Sequence, residues 1–144
     1  MRSFALILVF VELVYSRHTQ IEYCGTRSKA TIEYVDINPC DDDPCVLKRG
    51  EPTHFSISVT PKVNSKTVTL DARYLVWWWF SLPVPDLETD LCKLISCPVV
   101  AGQTYKVSQH FTISSSIPRF STTLTVKVIG DDGQIVCFTT DATI

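Results

Sequence analysis

Apolar and polar residues alternate one for one along several stretches of this chain, and a period of two belongs to an extended strand with one buried face. Phe55, Ile57 and Val59 alternate with Ser56, Ser58 and Thr60, while Leu70, Ala72, Tyr74 and Val76 stand opposite Asp71 and Arg73. Leu124, Val126 and Val128 oppose Thr123, Thr125 and Lys127 in the same way. Tyr105, Val107, Phe111 and Ile113 form a further window, Ala30 to Ile37 another, and Ile135 to Phe138 follows the hairpin signal Gly130-Asp131-Asp132-Gly133. Residues 17–144 hold 13 Val, 10 Ile and 16 Thr against four Ala. β-Branched side chains lose rotamer freedom in helices and pack well on pleated sheets. Six or more antiparallel strands without intervening helical patterns predict an all-β fold, a β-sandwich of two antiparallel sheets in one domain.

Residues 1–16 read differently. Arg2, the apolar stretch from Phe4 to Val11, and Val14 and Ser16 at positions −3 and −1 match a secretory signal peptide cut after Ser16. The run is shorter than the about 20 apolar residues of a membrane span. The expected mature domain is therefore 17–144, secreted or delivered to a lumen. Its near-neutral charge, −2 over the whole chain, and the lack of any dense Lys/Arg cluster exclude a nucleic-acid partner.

All six cysteines follow that cut. An even number in a secreted chain predicts three disulfides, for which fifteen connectivities exist. Cys40 and Cys45, and likewise Cys92 and Cys97, are separated by four residues, a span that a turn closes to the roughly 5–6 Å a disulfide needs. Cys24 and Cys137 remain, joining the start of the domain to its last strand. With no C-x-x-C pair and with His18, His54 and His110 scattered, neither metal nor cofactor is expected. Asp41-Asp42-Asp43 lacks the spaced ligands and closing Glu of a calcium loop and reads as a solvated turn. There is no nucleophile elbow, phosphate-cradling glycine loop or His-Glu-x-x-His motif, and Glu88 with Asp90 sits in a loop. No catalytic residue is assigned, and the chain is not read as an enzyme.

The densest apolar stretch runs from Tyr74 to Pro85 and contains Trp77-Trp78-Trp79. If Asp71 and Arg73 face solvent, alternation sends Tyr74, Val76, Trp78 and Phe80 inward and Leu75, Trp77 and Trp79 outward. Trp77 and Trp79 are then candidates for contact with a membrane or a partner, against the alternative that a loop or sheet edge covers them. Pro83 and Pro85 cannot donate ladder hydrogen bonds, so this segment is an edge or leaves the sheet. Two sheets unpaired along one edge can be wedged apart around an apolar ligand.

Several local motifs then resemble one family across nearly the whole of 17–144. They are Tyr23-Cys24-Gly25, Asn38-Pro39-Cys40 with Pro44-Cys45, Pro83-Val84-Pro85 before Cys92, Cys97-Pro98, and Gly102-Gln103-Thr104-Tyr105. Together they are similar to the ML (MD-2-related lipid-recognition) family, and within it to the Niemann-Pick type C2-like proteins and the group 2 mite allergens. The resemblance implies an immunoglobulin-like sandwich with an apolar cavity between its sheets, the three disulfides paired as above, and a secreted or lysosomal location. It implies a carrier for a sterol, fatty acid or phospholipid, or alternatively an accessory module that presents lipid to a receptor in innate immunity. A sterol-contacting aromatic of the Niemann-Pick type C2-like branch falls on Val84, a contacting valine on Ile113, and a pocket-mouth tyrosine on Ile117, so two aromatic positions are aliphatic here. Trp78 or Phe80 is expected to supply a ring. The full lining expected is Phe55, Ile57, Val59, Val76, Trp78, Phe80, Leu82, Val84, Phe111, Ile113, Ile117, Leu124 and Val126, in a monomer. No Asn-x-Ser/Thr acceptor is present, since Asn38 precedes Pro39-Cys40 and Asn64 precedes Ser65-Lys66, which favours simple secretion over glycan-dependent sorting.

Overall fold

The computed structural model describes residues 18–25, 27–40 and 42–144; the expected signal peptide, residues 1–16, and Asp41 of the acidic turn lie outside the described residues. The strands are β1 (Glu22–Tyr23), β2 (Ala30–Asn38), β3 (Cys45–Val46), β4 (Pro52–Pro61), β5 (Thr69–Val76), β6 (Phe80–Pro83), β7 (Tyr105–Thr112), β8 (Ser121–Gly130) and β9 (Gly133–Thr143). Among the described residues the only helix is the 3-10 turn Leu91–Lys93, where the Asp90 side chain accepts from the Cys92 N–H at 3.1 Å. No helix among them is long and apolar enough to cross a membrane.

The strands make two antiparallel sheets, β1-β9-β8-β5-β6 and β2-β4-β7, with short β3 parallel to β9. Alternation decides which side chains meet between them. β4 buries Thr53, Phe55 and Ile57, β7 buries Val107, Gln109 and Phe111, and β8 buries Thr122, Leu124, Val126 and Val128. Register aligns these rows, Ile57 beside Val107 and Ala72 beside Val126 beside Phe138, and Phe138 is wholly buried at the middle. Each apolar side chain fully buried in this way contributes about 1.5–3 kcal/mol before chain entropy is subtracted. Ile135 to Phe138 break the alternation, because all four are buried. Ile135 fits because its cross-hairpin neighbour Gly130 has no Cβ, which would stand 2.6 Å from Ser65 Oγ and 2.8 Å from Ile135 Cδ1.

The disulfides join Cys24 to Cys137, Cys40 to Cys45 and Cys92 to Cys97. The first ties β1's end to β9, on an edge where many other bonds cross. Thr19 N donates to Val35 O at 2.9 Å and Thr19 Oγ1 accepts from Ile37 N at 3.1 Å, both on β2. Thr140 Oγ1 on β9 donates to Gln20 O at 2.7 Å, and Ile32 N donates to Tyr23 Oη at 3.0 Å. Lys29 N donates to Ile135 O at 2.8 Å. Residues 19–25 and 27–29 therefore stitch the two sheets along the β2 and β9 edge.

The tryptophan stretch departs from expectation. The ladder of β5 and β6 closes at Val76 and Phe80, leaving Trp77-Trp78-Trp79 as the hairpin turn, with Trp77 in the left-handed region at φ 57°. A turn interrupts the alternation that would have sent Trp78 and Phe80 inward. Trp78 is instead 86% exposed and Phe80 48%, with Trp77 and Trp79 at 73% and 72%.

Candidate functional site

Opposite the stitched edge, β6 and the residues after it run beside β5 while β7 forms the border of the other sheet. Val84 N still donates to Ala72 O at 2.9 Å, and Leu70 N to Thr89 O at 2.7 Å. Between those contacts the chain bulges away, because Pro85 has no N–H to give and Asp86 takes φ 63°. The bulge lays Val84 and Leu87 over the gap between the sheets. One side chain holds it to β7. Gln109, buried at 8% exposure, accepts from Glu88 N at 2.6 Å through Oε1 and donates to Glu88 O at 3.0 Å through Nε2.

Beneath this seam lie two apolar voids. The nearer, about 20 Å³, is bordered by Ile37, Phe55, Val84, Leu87, Phe111, Leu124, Val126 and Phe138, with Ala72, Arg73 and Thr140. The farther, about 50 Å³, is bordered by Phe55, Ile57, Val59, Pro61, Val68, Leu70, Leu91, Val99, Tyr105, Val107, Val128 and Ile135. Phe55 borders both and stands between them. Voids of this size admit a few water molecules at most, so the sheets are nearly closed on each other, and what marks this seam is its chemistry. Thr140 spends its hydroxyl on Gln20, Arg73 Nε pairs with Asp71 at 3.1 Å in solvent, and the Tyr105 hydroxyl accepts from Val100 N and donates to Gln103 Oε1. No unpartnered polar side-chain atom is buried among the described residues. Such a lining selects by apolarity and shape.

Seven of the thirteen residues expected to line a cavity border these voids: Phe55, Ile57, Val59, Val84, Phe111, Leu124 and Val126. Ile113 is 1% exposed in the packed core, while Val76, Leu82 and Ile117 are half-buried around it. Trp78 and Phe80 are the corrections already described, exposed on the turn beyond the last inward position of β5. Residues that were missed fall into two kinds. Leu70, Val107 and Val128 sit in the same alternating windows and could have been added by pattern. Leu87, Leu91 and Val99 come from the bulge and the flanks of the Cys92–Cys97 loop, which have no periodicity.

Two polar features lie elsewhere. The scattered histidines are partly gathered, since β4 and β7 pair His54 with His110, their ring nitrogens 3.3 Å apart on the outer face. No group of three or more His, Cys, Asp or Glu fit to hold a metal occurs among the described residues. At the far end, Asp131 accepts from Lys66 N at 2.6 Å, Thr67 Oγ1 at 2.6 Å and Thr67 N at 3.0 Å. Hydrogen bonding to Thr67 and Lys66 holds its carboxyl below the usual value.

Residues 18–144 match the sequence profile of the ML domain. Among curated relatives, the mite group 2 allergen Lep d 2 of Lepidoglyphus destructor is 29% identical over 139 residues, covering 96% of each chain. The mite group 2 allergen Pso o 2 of Psoroptes ovis is 26% identical over 137 residues, covering 95% of this chain and 93% of its own. The crystal structure of a Niemann-Pick type C2 protein from Japanese carpenter ant superimposes with a TM-score of 0.76 at 23% identity, over 87% of this chain and 98% of that one, and shares the fold. A profile match over the whole sandwich, relatives of equal length and the shared two-sheet architecture make this chain a member of the ML domain family, whose members are not enzymes.

Proposed function

We propose that this protein is a secreted, monomeric carrier that holds one apolar lipid, a sterol or a fatty-acid-type ligand, between its two sheets. The observation that carries the reading is the seam itself, an apolar gap with no free polar group, stitched on one edge and covered on the other by a bulge that one glutamine retains. Ligand pockets for molecules of this size run to about 300–1,000 Å³, far above the two voids, so binding is a parting of the sheets. The β2 and β9 edge acts as the hinge, and the β7 border moves away from Val84 and Leu87. The ligand takes over the dispersion contacts the sheets give up. A ligand of about 25–30 heavy atoms at roughly 0.3 kcal/mol each gains about 8 kcal/mol, a micromolar affinity that suits a protein that must also release its load.

The family resemblance supports this reading, and the aliphatic residues at Val84 and Ile117 favour a lining that tolerates several lipid classes. Mass spectrometry of protein secreted from its native cells should find co-purifying lipid, and a fluorescent sterol or fatty acid should bind the delipidated protein. Val84→Asp, which puts a carboxylate at the edge of the near void, should weaken that binding at least about tenfold, since an unpaired charge is not tolerated in an apolar gap. Native protein free of lipid and binding neither probe would refute the proposal.

A further inference from the structure

Three indole rings in a row, each at least 72% exposed, have no place in the fold's core. Among the described residues their only ring contact is Trp79 with Phe80, centroids 6.0 Å apart. Of the other large apolar side chains exposed among the described residues, Tyr23, Leu94 and Val100 lie on other elements, while Val46, on β3 beyond β9, is at the same end as the turn. Trp77 also holds a left-handed conformation that bulky residues adopt with strain. Neither packing nor backbone preference accounts for tryptophan here.

The turn's position supplies a reason. β5 and β8 are antiparallel, with Tyr74 beside Leu124, and Thr122 Oγ1 donates to Leu75 O at 2.6 Å. The loop leading into β8 is therefore at the same end as the tryptophans and carries Ile117 and exposed Arg119. Arg49 Nη1 donates to Ile117 O at 2.5 Å and brings exposed Lys48 to that end, together with Glu51, while Asp42, Asp43 and Asp141 lie at the same end on the β3 and β9 side. From Phe80 the four residues of β6 lead back to the bulge, a reach of about 13 Å at strand rise. Amphipathic indole rings settle at the headgroup level of a bilayer, and neighbouring cations add attraction to anionic headgroups. A convex tip of this kind needs a deformable medium rather than a matching groove.

We propose that the Trp77-Trp78-Trp79 turn docks this protein on a lipid bilayer, inserting its indoles at headgroup depth and setting the seam over the membrane from which lipid is taken or to which it is given. This rests on the carrier reading for its purpose, though not for its measurement. The chain's three tryptophans are all in this turn, so its tryptophan emission reports the turn and nothing else. Adding phosphatidylcholine vesicles, with or without phosphatidylserine, should shift the emission to the blue and protect it from acrylamide. Trp77→Ser/Trp78→Ser/Trp79→Ser should lower vesicle binding in flotation by roughly tenfold or more, while thermal stability and binding of a fluorescent lipid in solution stay unchanged. Should the triple variant unfold, Trp78→Ser, at the most exposed ring, gives the same comparison. Lys48→Gln/Arg119→Gln should weaken binding only to phosphatidylserine vesicles, by about fivefold per charge removed. Emission unchanged by both vesicles, equal flotation of parent and variant, or a blue shift that appears with protein concentration alone would each overturn the proposal. Vesicle docking by protein that binds no lipid in solution would refute the carrier reading and leave this one standing.

Discussion

Along one border of the sandwich, residues 19–25 and 27–29 cross between the sheets with main-chain and hydroxyl hydrogen bonds, and Cys24–Cys137 anchors their middle to β9. Along the other, once past the Ser65–Val99 pair that closes its far end, Gln109 alone among the described residues makes hydrogen bonds across the gap, and Val84 and Leu87 supply apolar contact. A border held by many bonds must lose them together, whereas one held by a single amide and dispersion opens locally at a fraction of the global stability. That asymmetry is what the proposed hinge and mouth rest on.

The hinge is tested most severely by its disulfide. Cys24–Cys137 spans 113 residues and Cys92–Cys97 only five. On the chain-entropy account, Cys24→Ala/Cys137→Ala should lose about 4–5 kcal/mol of unfolding free energy, and Cys92→Ala/Cys97→Ala about 2 kcal/mol. Denaturant titration of the two variants measures the difference. Equal losses would mean that the stitched edge owes nothing special to this link, and the comparison would fail.

The mouth is tested by Gln109→Leu. Its side chain is nearly buried, and removing the amide strands the Glu88 N–H and C=O, at about 1–3 kcal/mol. The same change should speed amide exchange at Glu88 while leaving Val35 and Ile37, on the stitched border, at the parent rate. It should also quicken lipid uptake. If exchange rises equally on both borders, the seam is not a separately opening unit.

The hinge was far more legible from sequence than the mouth. Strand windows follow from period two, and Cys24 with Cys137 follows from counting thiols and pairing the short spacings first. The mouth depends on where a strand stops. Alternation carried on through Trp78 and Phe80 because nothing in residue type marks Trp77 as a turn; tryptophan at φ 57° is a position where glycine or asparagine would have announced the bend. Pro83 and Pro85 did signal a departure from the ladder, and the bulge begins there, but its latch could not be foreseen. Gln109 lies in a window whose pattern marks only an inward position, and its partner is a main-chain segment. His54 and His110 likewise meet only through the register of β4 and β7, which spacing along the chain does not encode.

The smallest effect concerns the end farthest from the tryptophan turn, where Asp131 in the β8–β9 hairpin grips Lys66 and Thr67 just ahead of β5, and its N–H donates to Ser65 Oγ at 2.9 Å. Ser65 in turn pairs with Val99 before β7, so this cluster closes the end of the gap opposite the tryptophan turn. The Asp131 carboxyl titrates below its ordinary 3.8, chiefly through the Thr67 and Lys66 hydrogen bonds. A carboxyl depressed on folding gives its stabilisation in full above the unfolded value and loses it as pH falls through the folded one. Asp131→Ala should therefore lower the melting temperature slightly at neutral pH, and the gap between parent and variant should close on acidification below about pH 4. The side chain is open to solvent, which keeps the effect small. If this end belongs to the fixed side of the sandwich, the variant will not alter exchange at Glu88 at any pH. Faster exchange there would mean that both ends of the seam move together, and the hinge would then be confined to residues 19–25 and 27–29 and their partners on β2 and β9.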